Sequence, residues 1–135
     1  MRLVVYADGA SRGNPGPASI GASVQDETGH ELATVSRTIG ISTNNQAEYR
    51  AAIEGIRSAR ELGATAIDLR MDSELVIRQL SGRYRVKNVG LQPLYATLVR
   101  ELEETGPATI GHVTRDLNRR ADALANAALD GKVLD

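Results

Sequence analysis

The chain reads as a mixed α/β domain, a sheet with helices laid on its faces. Three observations predict that class. Three strand-like segments come first, in hairpin succession. Helix and strand patterns then alternate along the rest of the chain. The strand after the first helix has to be reached by a crossover, which makes it parallel to an earlier one.

The opening segment, Arg2-Leu-Val-Val-Tyr6, is short, β-branched and aromatic, and turn residues close it, as expected of a buried strand. Ala7 to Pro17 is dense in glycine, proline and asparagine and reads as a loop whose backbone can approach a ligand. Ala18 to Gln25 alternates weakly as a second strand. Asp26-Glu-Thr-Gly29 then turns the chain into a third, from Glu31 to Ile39. Ser42-Thr-Asn-Asn45 supplies capping residues for a helix whose apolar positions (Ala47, Ala51, Ala52, Ile56, Ala59) recur at helical spacing, with Leu62-Gly63 as its stop. Thr65 to Met71 is the fourth strand, and Asp72-Ser73 opens a short helix through Leu80. Ser81 to Gly90 is an irregular basic connection. Gln92 to Glu104 is an amphipathic helix with Leu94, Leu98 and Leu102 on one side, broken by Gly106-Pro107. Ala108 to Thr114 is the last strand and Asn118 to Leu129 a closing helix, with a tail beyond.

At 135 residues this is one domain, 1–135, large enough for a real core. The absence of cysteine removes disulfides and thiolate metal sites and suits a reducing interior. No apolar run approaches the ~18 residues of a membrane span, and Met1-Arg2 leads straight into a strand, so a cytoplasmic protein without membrane contact or cleaved leader is expected, a monomer by default. A net charge of −1 does not announce a nucleic-acid binder. The distribution is less even, because Arg78, Arg83, Arg85, Lys87 and Arg100 follow one another with no acid between them.

Two acids close strands in this reading: Asp8 the first and Asp72 the fourth. A carboxylate at the end of an apolar strand is poorly hydrated and needs a cation or hydrogen bonds in compensation. In open α/β sheets, sites form beyond the carboxyl ends of parallel strands, so neighbouring strands would bring Asp8 and Asp72 face to face. Glu48 and Asp122 stand early in the first and last helices and can point to the same edge. Four carboxylates without His or Cys form a hard-oxygen set suited to Mg²⁺ or Mn²⁺ rather than zinc. Read one at a time, the four also fit ordinary loop-start and helix-surface acids, and periodicity alone does not assemble them.

Taken together, Asp8-Gly-Ala-Ser-Arg-Gly-Asn-Pro-Gly-Pro17, Thr43-Asn-Asn-Gln-Ala-Glu-Tyr49, Met71-Asp-Ser73, Val86-Lys-Asn88 and Asn118-Arg-Arg-Ala-Asp-Ala-Leu-Ala125 resemble ribonuclease H of type 1. They stand in that family's order and cover nearly the whole chain. The resemblance implies a ribonuclease H-like five-stranded mixed sheet of order 3-2-1-4-5, with an antiparallel second strand. It implies that Asp8, Glu48, Asp72 and Asp122 are the catalytic acids and hold two Mg²⁺ (or Mn²⁺) ions. The implied reaction is endonucleolytic hydrolysis of the RNA strand of an RNA–DNA hybrid, leaving 5′-phosphate and 3′-hydroxyl ends. Ser11, Asn14, Asn44 and Asn45 would face the minor groove with Glu48. Thr43 and Asn88 would form a pocket for a DNA phosphate, although on their own they read as a helix cap and a turn.

Two departures from the family matter. Relatives with a longer loop carry a mobile histidine between the last strand and last helix. Here Val113-Thr-Arg-Asp-Leu-Asn118 is brief and offers Arg115, which can contact phosphate or assist product departure but cannot shuttle a proton at neutral pH. His112 falls inside the strand and is read as a packing residue. The basic protrusion of some relatives is missing as well, and Ile41 stands where some have an arginine. Arg83, Arg85 and Lys87 are expected to replace part of that grip. A non-catalytic module binding hybrid or double-stranded RNA is the alternative, and an intact acid quartet speaks against it.

Overall fold

The computed structural model describes residues 1–134. Five strands form one sheet, β1 (Arg2–Ser11), β2 (Gly16–Gln25), β3 (Glu31–Ser42), β4 (Ala66–Met71) and β5 (Ala108–His112), in the order β3-β2-β1-β4-β5. The helices are α1 (Asn44–Glu61), α2 (Glu74–Leu80), α3 (Gln92–Thr105) and α4 (Arg119–Leu129). β2 pairs antiparallel with β1 and β3, whereas β4 is parallel to both β1 and β5. The expected mixed sheet and its order are present.

Both faces of the sheet are covered. α1 packs on β1 and β2 with α3 beside it, and α4 packs on β1, β2 and β3. Strand residues alternate between the two faces. Leu3, Val5, Ala7, Ile20, Ala22 and Val24 join Tyr49, Ile53 and Ile56 of α1 in the main core. The weak alternation of β2 follows from this double burial, because even its polar positions Ser19 and Ser23 are enclosed. Ser19 answers by donating to the carbonyl of Ala125 in α4. α3 is tied to α1 by Glu101, which is buried and receives Arg60 at 2.8 Å and Arg57 at 3.5 Å.

The boundaries differ from the sequence reading where pairing between distant segments decides them. β1 does not stop at Tyr6. It runs on to Ser11 because β2 keeps pairing with it, Asp8 opposite Gly21 and Ser11 opposite Ala18. Asp8 is therefore inside a strand, two residues beyond the last β1 residue paired with β4, Tyr6 opposite Arg70. The loop shrinks to a hairpin connection with a cis Asn14–Pro15 bond, and β3 extends to Ser42. At the other end β5 closes at His112, and a 3₁₀ turn over Arg115–Asn118 precedes α4. His112 ends an edge strand in an exposed position, so its reading as a packing residue is corrected. Among the described residues no helix is long and apolar enough to cross a membrane.

Candidate active site

Asp8 is the centre. Its strand is apolar on both sides, and it is only 7% exposed, on the face that α4 covers. Removal from water, followed by the charges of Asp72, Asp122 and Glu48, pushes its carboxyl up to about 8. Asp122 lies close enough to Asp8 to share a proton. The other three predicted acids are thus within electrostatic reach of this one buried carboxyl.

Each neighbour is delivered by a different element. Asp72 follows the last residue of β4, and its Oδ1 accepts from the Asn118 side-chain amide at 3.0 Å. Glu48 sits in the second turn of α1, where Asn44 donates to its Oε1 at 3.1 Å. Burial raises the Glu48 carboxyl and the charge of Asp72 adds to it, while hydrogen bonds from Ser73 and Asn44 oppose the shift. Asp122 lies in the first turn of α4, with Asn126 donating to it at 3.2 Å.

Two glycines set how closely the helix-borne acids approach. A Cβ on Gly9 would stand 2.2 Å from the backbone carbon of Ala47 and 2.3 Å from the nitrogen of Glu48. A Cβ on Gly21 would stand 2.2 Å from the Ala121 oxygen and 2.5 Å from the Ala125 nitrogen. α1 and α4 thus rest on bare strand backbone, one on each face of the sheet, each beside the acid it carries.

Positive charge is scarce around this cluster. Arg115 is the one cation within ion-pair distance of any of the four acids among the described residues, 4.0 Å from Asp72 Oδ2, and it is 90% exposed. Divalent cations suit four oxygen-donor groups whose mutual repulsion is relieved by positive charge. The fit is of chemistry and place. Among the described residues no three acidic or imidazole groups already stand as a finished metal cage.

The predicted substrate-facing residues occupy the rim, and several have internal duties. Thr43 caps α1 in a reciprocal capping box with Gln46. Asn14 accepts from the Asn44 backbone N–H at 3.1 Å, which ties the β1–β2 connection to the start of α1, and Ser11, at the end of β1, donates to the Ser42 carbonyl at the end of β3 at 2.8 Å. Asn45 is exposed. Asn88 accepts from Gly90 N–H at 2.8 Å, and Gly90 lies against Gln46, which brings the Asn88 turn to the first turn of α1 near Thr43. Lys87 is exposed beside it. An open groove of about 400 Å³ adjoins this turn, lined by Tyr84, Arg85, Gln92 and Tyr95.

Three contributors to the site were not singled out from the sequence. Gly21 had a faint signal as a glycine within a strand-forming segment, where close backbone approach is one explanation, whereas Gly9 read as part of the Ala7–Pro17 loop. Asn118 stood in a quoted motif but read only as a helix start.

The chain matches the family model described as "Reverse transcriptase-like" over residues 6–128. The ribonuclease HI of Halobacterium salinarum is 44% identical over 129 residues, covering 96% of this chain and 65% of that protein. The crystal structure of RNase H1 from that archaeon superposes with a TM-score of 0.95 over 97% of this chain and 99% of its own. LC11-RNase H1, solved in complex with an RNA/DNA hybrid, is 39% identical with a TM-score of 0.91, covering 96% of this chain and 97% of its own. The "Bifunctional protein Rv2228c" of Mycobacterium tuberculosis is 44% identical over 131 residues, 96% of this chain, and this chain spans only 36% of its length. The chain belongs to the ribonuclease H type 1 family.

Proposed function

We propose that this domain is a metal-dependent endoribonuclease that hydrolyses the RNA strand of RNA–DNA hybrids and leaves 5′-phosphate and 3′-hydroxyl ends. The observation that carries the reading is the convergence of Asp72, Asp122 and Glu48 on buried Asp8, an arrangement that costs stability and has no structural use of its own. Asp8, Glu48, Asp72 and Asp122 would hold the ions. Two bound Mg²⁺ or Mn²⁺ ions supply an activated water and charge stabilisation at the leaving oxygen.

The chain's own residues provide the rest. Asn44 orients Glu48 at the rim, where backbone and side chains of Ser11, Asn14, Asn44 and Asn45 face the shallow minor groove and its 2′-hydroxyls. Thr43 and Asn88 take a phosphate of the DNA strand, with Lys87 adding charge. Arg115, long and exposed beside Asp72, meets a phosphate of the cleaved strand and helps product leave, but takes no proton. The domain acts as a monomer in the cytoplasm, with the hybrid as its partner.

Incubating wild type and Asp72→Asn with an end-labelled hybrid and Mg²⁺ or Mn²⁺ tests the reading. Wild type should cut only RNA and yield ends that accept ligation through 3′-hydroxyl and 5′-phosphate. Asp72→Asn should keep binding and lose cleavage by several orders of magnitude. Cutting of both strands, or of neither, would remove the proposal, and binding by both proteins without any cleavage would establish the non-catalytic module instead.

A further inference from the structure

We propose that Asn118 is the positioning residue that holds Asp72 against Asp8; this rests on the metal-dependent nuclease reading above. Asn118 precedes α4 at the position where an asparagine ordinarily caps a helix, but its side chain makes no capping bond. It turns inward, where it is 1% exposed. Its Nδ2 donates at 3.0 Å to the carbonyl of Ala7, the residue before Asp8, and at 3.0 Å to Oδ1 of Asp72. Its Oδ1 is buried without any partner, the single such side-chain atom among the described residues.

A residue retained only for packing or capping would look different. A leucine would fill the same space without an orphaned oxygen, and a capping asparagine would satisfy a free N–H of its own helix. Asn118 forgoes both. Its amide cannot be reversed, because that would set Oδ1 against a carbonyl and a carboxylate. One buried side chain therefore links β1, the end of β4 and the start of α4, which carry Asp8, Asp72 and Asp122. Of the two Asp72 oxygens, Oδ2 faces the exposed side chain of Arg115, while Oδ1 is pinned by Asn118. Partners that orient metal-binding carboxylates in this way are typically worth about 10–100-fold in metal affinity or activity.

The test uses Asn118→Leu and the isosteric Asn118→Asp, alongside wild type. The expected result is a roughly 10–100-fold fall in kcat, unchanged affinity for hybrid in chelator, and a smaller rise in Tm on adding Mn²⁺. Asn118→Leu removes the orphaned oxygen but also leaves the Ala7 carbonyl and Asp72 Oδ1 without their donor, so both variants are compared with wild type at temperatures where each is fully folded. An Mn²⁺-induced rise equal to that of wild type in both variants would overturn the proposal. So would a loss of activity that merely tracks the unfolded fraction, or failure of both variants to fold, either of which makes Asn118 a packing residue. A wild type that takes up Mn²⁺ but leaves hybrid uncut removes the nuclease reading alone, and the ion response still judges Asn118.

Discussion

Asp8 carries the sharpest electrostatic consequence. Its carboxyl titrates near 3.8 when exposed and about 8 in the folded chain, so the folded state binds its proton more tightly than the unfolded state does. The stability this proton contributes is complete below about pH 4 and is lost as pH rises through about 8. In chelator, wild type should therefore melt at progressively lower temperature across that window, while Asp8→Asn should melt higher at pH 8 and show a flatter profile. Asp122→Asn should also raise Tm, since it removes one of the charges that crowd Asp8. Each kcal/mol of relieved repulsion is worth about 4 °C in a domain of this size. Thermal melts in chelator from pH 4 to 9 check both variants, and Tm unchanged or lowered in both would show that the acids do not share one cluster. Adding Mg²⁺ at a hundredfold excess over its dissociation constant should return about 2.7 kcal/mol to wild type.

Among the elements, strand-to-helix contact matters most. Gly9→Ala would force a methyl into the backbone of α1 at Ala47 and Glu48. Overpacking of this kind costs about 1–3 kcal/mol, and here the shift also moves Glu48 away from Asp8. The expected outcome is a lower denaturant midpoint together with a fall in kcat that persists under conditions where the variant is fully folded; activity equal to wild type there would show that α1 does not set the Glu48 position. The order of elements was legible in the sequence because it depends on local pattern, and the four acids were legible through five motifs standing in family order. The extent of β1 was not, because Ser11 is held in the sheet by Ala18 across the hairpin, and no local propensity encodes that. Asn118 was hidden for a related reason. Next to a helix an asparagine reads as a cap, and only the folded chain reveals that its amide reaches Ala7 and Asp72.

For the molecule as a whole, a net charge of −1 hides an uneven surface. Four of the acids gather around one point, while Arg83, Arg85 and Lys87 stand exposed on the connection between α2 and α3. Hybrid affinity should fall linearly with salt on logarithmic axes as phosphate contacts release counterions. Replacing all three cations by alanine should flatten that slope by roughly two to three units if each meets one phosphate. Filter binding or fluorescence anisotropy from low to moderate salt, with catalysis blocked by chelator, measures it. A slope unchanged in the triple variant would move hybrid recognition elsewhere on the surface.

The bare-backbone seats at Gly9 and Gly21 also limit how this domain can be recombined with its relatives. The depth of each helix is matched to its own strand, and the second match joins residues a hundred or more positions apart in the chain. A chimera whose crossover falls between β2 and α4 would inherit one half of that seam from each parent. Even with all four acids intact, such hybrids should be the ones in a shuffled library that fold with a mismatched cleft and lose turnover first.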